Sequence, residues 1–321
     1  MPSMNLSFGR MISMRPAILS LTGAFLLLAP GAKAELSVKQ NNDSVECQRD
    51  GQTLWSFLFS TNYCKPCFHP LRVFGGEPLT TLQPPDHRWH YGLWFSWKYI
   101  NGVNYWEERD GRPDGTTKWD QPKITTHNDG SAQISMNLSY ISPSNEIMMT
   151  ENRDIHVSAP AADGGVTIDW VGKFTAGKTP LVLDRTPMPG EEHGAVNGGY
   201  AGMSIRLAQT PAKCDFLTAE GPVTKFDSDR ARPNSKAAAC NIAQAGRTDG
   251  VAILSNISNT GGDSPWYMVN SKSMHWFSPV LLAPAPKKVK PHDTFTWKFR
   301  IITRSGAWTP EMLAAAAKEY R

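Results

Sequence analysis

Ala132-Gln133-Ile134-Ser135-Met136-Asn137-Leu138-Ser139-Tyr140 alternates apolar and polar side chains at every step. Successive side chains of an extended chain point to opposite faces, so this segment can bury one face and leave the other in water. Further strand candidates lie at short spacing: 54–59, 93–99, 147–157, 166–174, 203–207, 251–257, 266–270 and 295–303. Between them stand turn signals such as Ala161-Ala162-Asp163-Gly164-Gly165 and Asn259-Thr260-Gly261-Gly262-Asp263-Ser264-Pro265. The pattern is all-β, a large antiparallel β-sandwich. One short helix closes it at the C-terminus. Thr309 caps, Pro310 suits the first helical position, and residues 311–320 are strong helix formers.

Arg10 and Arg15 precede an apolar run over 17–30 that ends in Gly31-Ala32-Lys33-Ala34. This is the pattern of a secretory signal peptide cut between Ala34 and Glu35. The run is shorter than the ~20 residues of a spanning helix. The expectation is a periplasmic or secreted protein with no membrane attachment after cleavage. Residues 35–321 carry no linker and no repeat, and they read as one domain.

Loss of Arg10, Arg15 and Lys33 lowers the formal charge from +4 to +1. Lys287-Lys288-Val289-Lys290 is a short patch beside prolines rather than a stripe that could neutralise phosphates, so nucleic acid is excluded as a partner. Export would place Cys47, Cys64, Cys67, Cys214 and Cys240 in an oxidising compartment. Cys214 and Cys240 bracket a polar, turn-rich segment and are the best-placed pair for a disulfide. Cys64-Lys65-Pro66-Cys67 has the redox Cys-x-x-Cys spacing, but its surroundings are strands rather than the βαβ setting of thioredoxins.

Chemistry concentrates in Pro84-Pro85-Asp86-His87-Arg88-Trp89-His90-Tyr91-Gly92-Leu93-Trp94-Phe95-Ser96-Trp97. Histidines serve as acid, base or ligand near neutral pH, and indoles offer flat apolar faces with a polar edge. Pro84-Pro85 disfavours helix, so His87 and His90 belong to a loop or strand entry. There one imidazole can reach a cleft while a carboxylate such as Asp86 orients the other. Strand alternation puts Trp94 and Trp97 on opposite faces, which leaves Trp89 and Trp106 as the better cleft candidates.

Lys65-Pro66-Cys67-Phe68-His69-Pro70-Leu71, Pro85 to Trp94, Asn101-Gly102-Val103-Asn104-Tyr105-Trp106, Met149-Thr150-Glu151-Asn152-Arg153, Asn197 to Arg206 and Ser264-Pro265-Trp266-Tyr267 together resemble a bacterial family labelled PmoA-like or "methane oxygenase". The similarity spans most of residues 35–321, and Cys67 stands where an aromatic residue is usual. Methane oxidation in a bilayer does not suit a mature chain without a spanning segment. The resemblance implies a galactose-mutarotase-like β-supersandwich and, by the company such sequences keep, a carbohydrate ligand.

The clustered tryptophans Trp89, Trp94, Trp97, Trp106 and Trp119 fit that ligand, because pyranose C–H faces pack on aromatic rings. Glu151 matches the resemblance in mid-strand, and Arg153, two residues on, is its candidate ion-pair partner. Glu191, Glu192 and His193 sit in a Pro-Gly loop and read as a solvated turn. Arg206 follows glycines that let the backbone bend, and His275 reads as strand filler. His69, Asp86, His87, His90 and His193 offer nitrogen and oxygen ligands at irregular spacing, so neither a metal nor a cofactor is called for. The expected function is acid–base chemistry on a sugar or oligosaccharide, of epimerase, lyase or hydrolase type. His87 or His90 would move the proton and Glu151 would complement it. Arg88 and Arg206 would hold oxygens, and Trp89 with Trp106 would stack on the ring. The rivals are a non-catalytic carbohydrate-binding protein and a metal-dependent oxidoreductase.

Overall fold

The computed structural model describes residues 35–210 and 214–320; the leader expectation falls on residues 1–34 and lies outside them. From Glu35 onward the chain forms one compact unit. It is built from two ten-stranded antiparallel sheets and a four-stranded one.

The first large sheet runs in the order Leu36–Gln40, Ser44–Arg49, Gln52–Leu58, Cys67–Leu71, Leu93–Ser96, Gly202–Arg206, His275–Pro279, Ser264–Asn270 and Arg230–Ala231, with Asn234–Ser235 also pairing to Ser264–Asn270. The second runs Gly221–Pro222, Asp215–Thr218, Ala237–Gln244, Arg247–Ser255, Thr294–Ser305, Thr167–Ala176, Ile147–Val157, Ala132–Ile141 and Thr116–Trp119, with Lys123–Thr126 also pairing to Ala132–Ile141. Lys287–Val289, Leu181–Asp184, Tyr99–Ile100 and Val103–Asn104 make the small sheet.

The alternating segment is the strand next to the edge of the second sheet. Ile134, Met136, Leu138 and Tyr140 are buried, while Gln133, Ser135 and Asn137 are exposed. Its register to the next strand runs from Ala132↔Val157 to Tyr140↔Met149, which keeps the two apolar faces aligned. The sheets meet through aromatic pairs: Phe95 lies 5.4 Å from Phe174 and 6.1 Å from Trp297, and Phe68 lies 6.2 Å from Trp170. Truncating such a ring to alanine costs about 3–5 kcal/mol. Trp97 belongs to this core and Trp94 to the opposite face, as alternation requires.

The helix Pro310–Glu319 is capped by Thr309, whose side chain accepts from the Met312 amide. Leu313 and Ala317 pack on Ala237, Ala239, Ala252 and Leu254, on the outer face of the second sheet. The small strand residues leave room for the helix to lie close.

All five cysteines are free thiols, so the expected Cys214–Cys240 disulfide is not formed in this structure. The two side chains are in hydrogen-bond contact in the core, because Cys240 pairs with Phe216 across the sheet and Cys214 lies two residues before it on the same face.

Candidate functional site

Alternation in the first sheet turns Leu93, Met268 and Phe277 into the inter-sheet core and Trp94, Tyr267, Val269 and Trp276 outward. Of these, Tyr267, Val269 and Trp276 floor a cavity of about 290 Å3. Its walls come from loops: His87, Trp89 and His90 from one, Trp106 and Glu107 from another, Asn197 and Tyr200 from a third, Met274 from a tight turn, and Arg230 from the sheet edge.

The His87 loop is two consecutive turns, closed by His87 N–H to Pro84 C=O and His90 N–H to His87 C=O, each 3.0 Å. They stack the His87 ring on the His90 ring at 4.7 Å between centroids. Asp86 Oδ2 lies 2.8 Å from His87 Nδ1, and Arg206 Nη2 donates to both Asp86 oxygens at 3.0 and 2.8 Å. Burial works against the Asp86 carboxylate, but the His87 and Arg206 hydrogen bonds together outweigh it and hold its pKa below the usual range. An ionised Asp86 only accepts, so in the neutral imidazole His87 Nδ1 carries the proton and Nε2 the lone pair. About a third of the His87 side chain is exposed, and it lines the cavity.

His90 has a different environment. Burial, with help from His87 and Arg206, pushes its pKa well below the ordinary imidazole value, so it is neutral. Arg206 Nη1 approaches its Nδ1 at 3.5 Å and can only donate, which places the His90 proton on Nε2. His87 is thus the proton-transfer candidate and His90 the flat support behind it.

The opposite wall carries a carboxylate that the sequence reading passed over. Glu107 is ion-paired to Lys98 and accepts from the Tyr200 hydroxyl. Asn104 Oδ1 accepts from the amides of Trp106 and Glu107 at 3.0 and 3.2 Å, and its Nδ2 donates to the Glu107 carbonyl at 2.9 Å. One buried asparagine therefore sets the turn that presents both side chains.

Beneath them, fully buried Lys65 donates to the carbonyl of Trp106 at 2.9 Å, to that of Trp89 at 3.4 Å and to Glu108 at 2.6 Å. Glu108 also accepts from the Tyr91 hydroxyl at 3.0 Å. Burial lowers the Lys65 pKa, and Glu108 opposes that shift.

On the third side, Arg232 Nη2 donates to the carbonyls of Val196 and Gly198 at 2.9 and 2.7 Å, clasping the loop that brings Asn197 to the cavity. The Arg232 guanidinium lies 4.0 Å from the Tyr267 ring centroid.

The structure brings His87, His90, Trp89 and Trp106 together and places Arg206 behind them. Three expectations are corrected. Arg88 is exposed and does not line the cavity, because the turn at 88–89 rotates it outward. Arg206 is spent on Asp86 and the Ser273 carbonyl rather than on a ligand. Glu151 lies in the second sheet, fully buried between the layers, where Arg153 donates to its oxygens at 2.7 and 2.9 Å and Tyr140 at 2.5 Å. Its strand face points into the core, so the two-residue spacing makes an internal ion pair instead of a catalytic acid. Glu192 and His193 are a solvated pair, and Glu191 binds Arg185. His69 Nδ1 pairs with the Thr80 hydroxyl at 3.0 Å. Among the described residues no three His, Cys, Asp or Glu side chains converge as metal ligands.

Glu107, Tyr200, Arg230, Tyr267 and Trp276 were missed as site residues. The signal lay close by, since Glu107 directly follows the motif ending at Trp106, and Tyr200 and Tyr267 fall inside motifs already singled out.

Residues 44–318 match the profile described as "Family of unknown function (DUF6807)", and the chain belongs to that family. No curated protein matches it. Among solved structures it is similar to the α-galactosidase from Lactobacillus brevis, with 9% identity and a TM-score of 0.45 over 84% of this chain and 39% of that one. A putative aldose 1-epimerase from Klebsiella pneumoniae gives 8% and 0.41 over 89% of this chain and 86% of that one. A galactose mutarotase related enzyme from Lactobacillus acidophilus gives 9% and 0.33 over 85% and 99%. The chain spans well under half of the α-galactosidase.

Proposed function

Starting from membership of a family with no stated reaction, we propose that this protein binds a sugar in the aromatic cleft and transforms it by acid–base chemistry. The observation that carries the reading is the chain Arg206–Asp86–His87, which ends in an imidazole Nε2 at a cavity walled by Trp89, Trp106 and Tyr200. A carboxylate-oriented histidine with a free lone pair is the arrangement of a general base, and once protonated it returns the proton as an acid. Glu107 takes the complementary place that Glu151 does not occupy. The cavity sits at the lower end of the ~300–1,000 Å3 of small-molecule sites, a size for a monosaccharide unit rather than a long chain. The PmoA-like motif resemblance belongs to the same proposal, as the mark of a sugar-handling supersandwich family.

The test is NMR of products after incubation with a panel of monosaccharides and short oligosaccharides, including uronic and keto sugars. His87→Ala and Glu107→Gln should each lower turnover by about 10^2-fold or more. Trp89→Ala should weaken binding, and Glu151→Gln should leave turnover of the folded fraction unchanged. Full activity in both His87→Ala and Glu107→Gln would sink the catalytic roles. Binding without any conversion, lost in Trp89→Ala and kept in His87→Ala, would make the protein a carbohydrate-binding module.

A further inference from the structure

We infer that the cleft is built for an acidic sugar, with Arg230 receiving its carboxylate; this rests on the sugar reading and narrows it to a substrate class. Besides His90, which burial holds neutral, the cavity is lined by His87, Glu107 and Arg230 as its histidine, acidic and basic side chains. Glu107 is already compensated by Lys98 and by the Tyr200 hydroxyl. Arg230 is not: no carboxylate among the described residues is ion-paired to it.

The Arg230 guanidinium is nevertheless fixed in place. Its Nε donates to the Tyr267 hydroxyl at 3.1 Å and its Nη1 to the Ser228 carbonyl at 2.5 Å, while Nη2 has no hydrogen-bond partner among the described residues. Its strand pairs Arg230 with Val269, so the side chain stands over the same floor as Tyr267 and Trp276. A half-buried, pre-oriented guanidinium with a donor left over is suited to a planar oxyanion and loses little freedom on binding. A neutral hexose would leave that charge facing only water. Arg230 also lines an adjoining cavity with Pro189, Val196 and Phe226, so the carboxylate position lies where the cleft opens outward.

Binding by tryptophan fluorescence or ligand-observed NMR would compare D-glucuronate and D-galacturonate with glucose and galactose, and with glucose 6-sulfate. The expected result is at least about tenfold tighter binding of the uronates, a preference that Arg230→Gln abolishes, that Arg230→Lys keeps in part, and that added salt reduces. Thermal melts of both variants verify that they fold. Equal affinity for neutral and acidic sugars, or a uronate preference that survives Arg230→Gln, would overturn the assignment while leaving the sugar reading intact. Sulfate binding as tight as carboxylate binding would overturn the carboxylate class. If no sugar of either kind binds, the sugar reading itself fails.

Discussion

His87 and His90 are three residues apart and stacked, yet only one is fit to move a proton, and burial is the reason. The same rule governs His69, whose pKa burial and Arg72 press down to about 4 from the ordinary 6.5. Between those values the unfolded chain takes up a proton that the native state refuses, so stability falls as the pH drops from about 6.5 to 4. The full loss from His69 is of the order of 3 kcal/mol at pH 4, and His90 acts in the same direction. Asp86 acts in the same direction in a more acidic window: its lowered pKa gives stability that is full above the ordinary carboxylate value and is lost as the pH falls through the folded value. Urea unfolding at pH 7 and pH 4.5 should show a clear drop for the native protein and a smaller one for His69→Gln. An unchanged pH slope in the variant would remove His69 from the account.

At the level of the element, alternation made the Ala132–Ile141 strand and its neighbours legible, and Thr309-Pro310 marked the helix. Other elements were hidden for physical reasons. Ala237–Gln244 is rich in alanine, a strong helix former, and Ala237 and Ala239 are small where the C-terminal helix lies on them. Cys67–Leu71 contains Pro70, which demotes a strand pattern. The Trp106–Glu107 turn depends on Asn104, whose side-chain bonds no periodicity reveals. Lys65 is the sharpest such case. From beside a strand start it holds the carbonyls of two tryptophan loops, a role that neither the Cys-x-x-Cys spacing nor the strand period reveals. Lys65→Met should cost about 3–5 kcal/mol, because Glu108 is left buried and unpaired. The double variant Lys65→Met/Glu108→Leu should recover most of that loss while sugar affinity stays weakened, since the Trp89 and Trp106 walls remain unpinned. Denaturant unfolding and binding of the two variants separate the effects, and native affinity in the double variant would show that Lys65 does not position the walls.

For the whole molecule, compartment and fold meet at the thiols. We propose that export removes residues 1–34 and that the oxidising compartment joins Cys214 to Cys240. The pair is singled out by contact in the fold, and the folded thiols differ in their environments. Burial pushes Cys47 up to about 11 and raises Cys67 too. Cys214 alone is drawn down, to about 6, by its hydrogen bond to Cys240, aided by His275 against burial. During folding the thiolate of one of the two attacks a disulfide oxidant such as an export-compartment thiol oxidase, and the other then displaces that carrier. Two protons and two electrons leave the protein in all. The cross-link closes the segment between neighbouring strands and should add about 3 kcal/mol. Both sulfurs are core residues, so the reaction belongs to folding, before the sheets close over them. Intact mass of protein made through the export route should therefore start at Glu35 and lie two hydrogens below the all-thiol value. Alkylation under denaturing, non-reducing conditions should then label Cys47, Cys64 and Cys67 but not the pair. Labelling of all five thiols would leave the core pair reduced in the native molecule, and a retained leader would remove the oxidising compartment on which the cross-link depends.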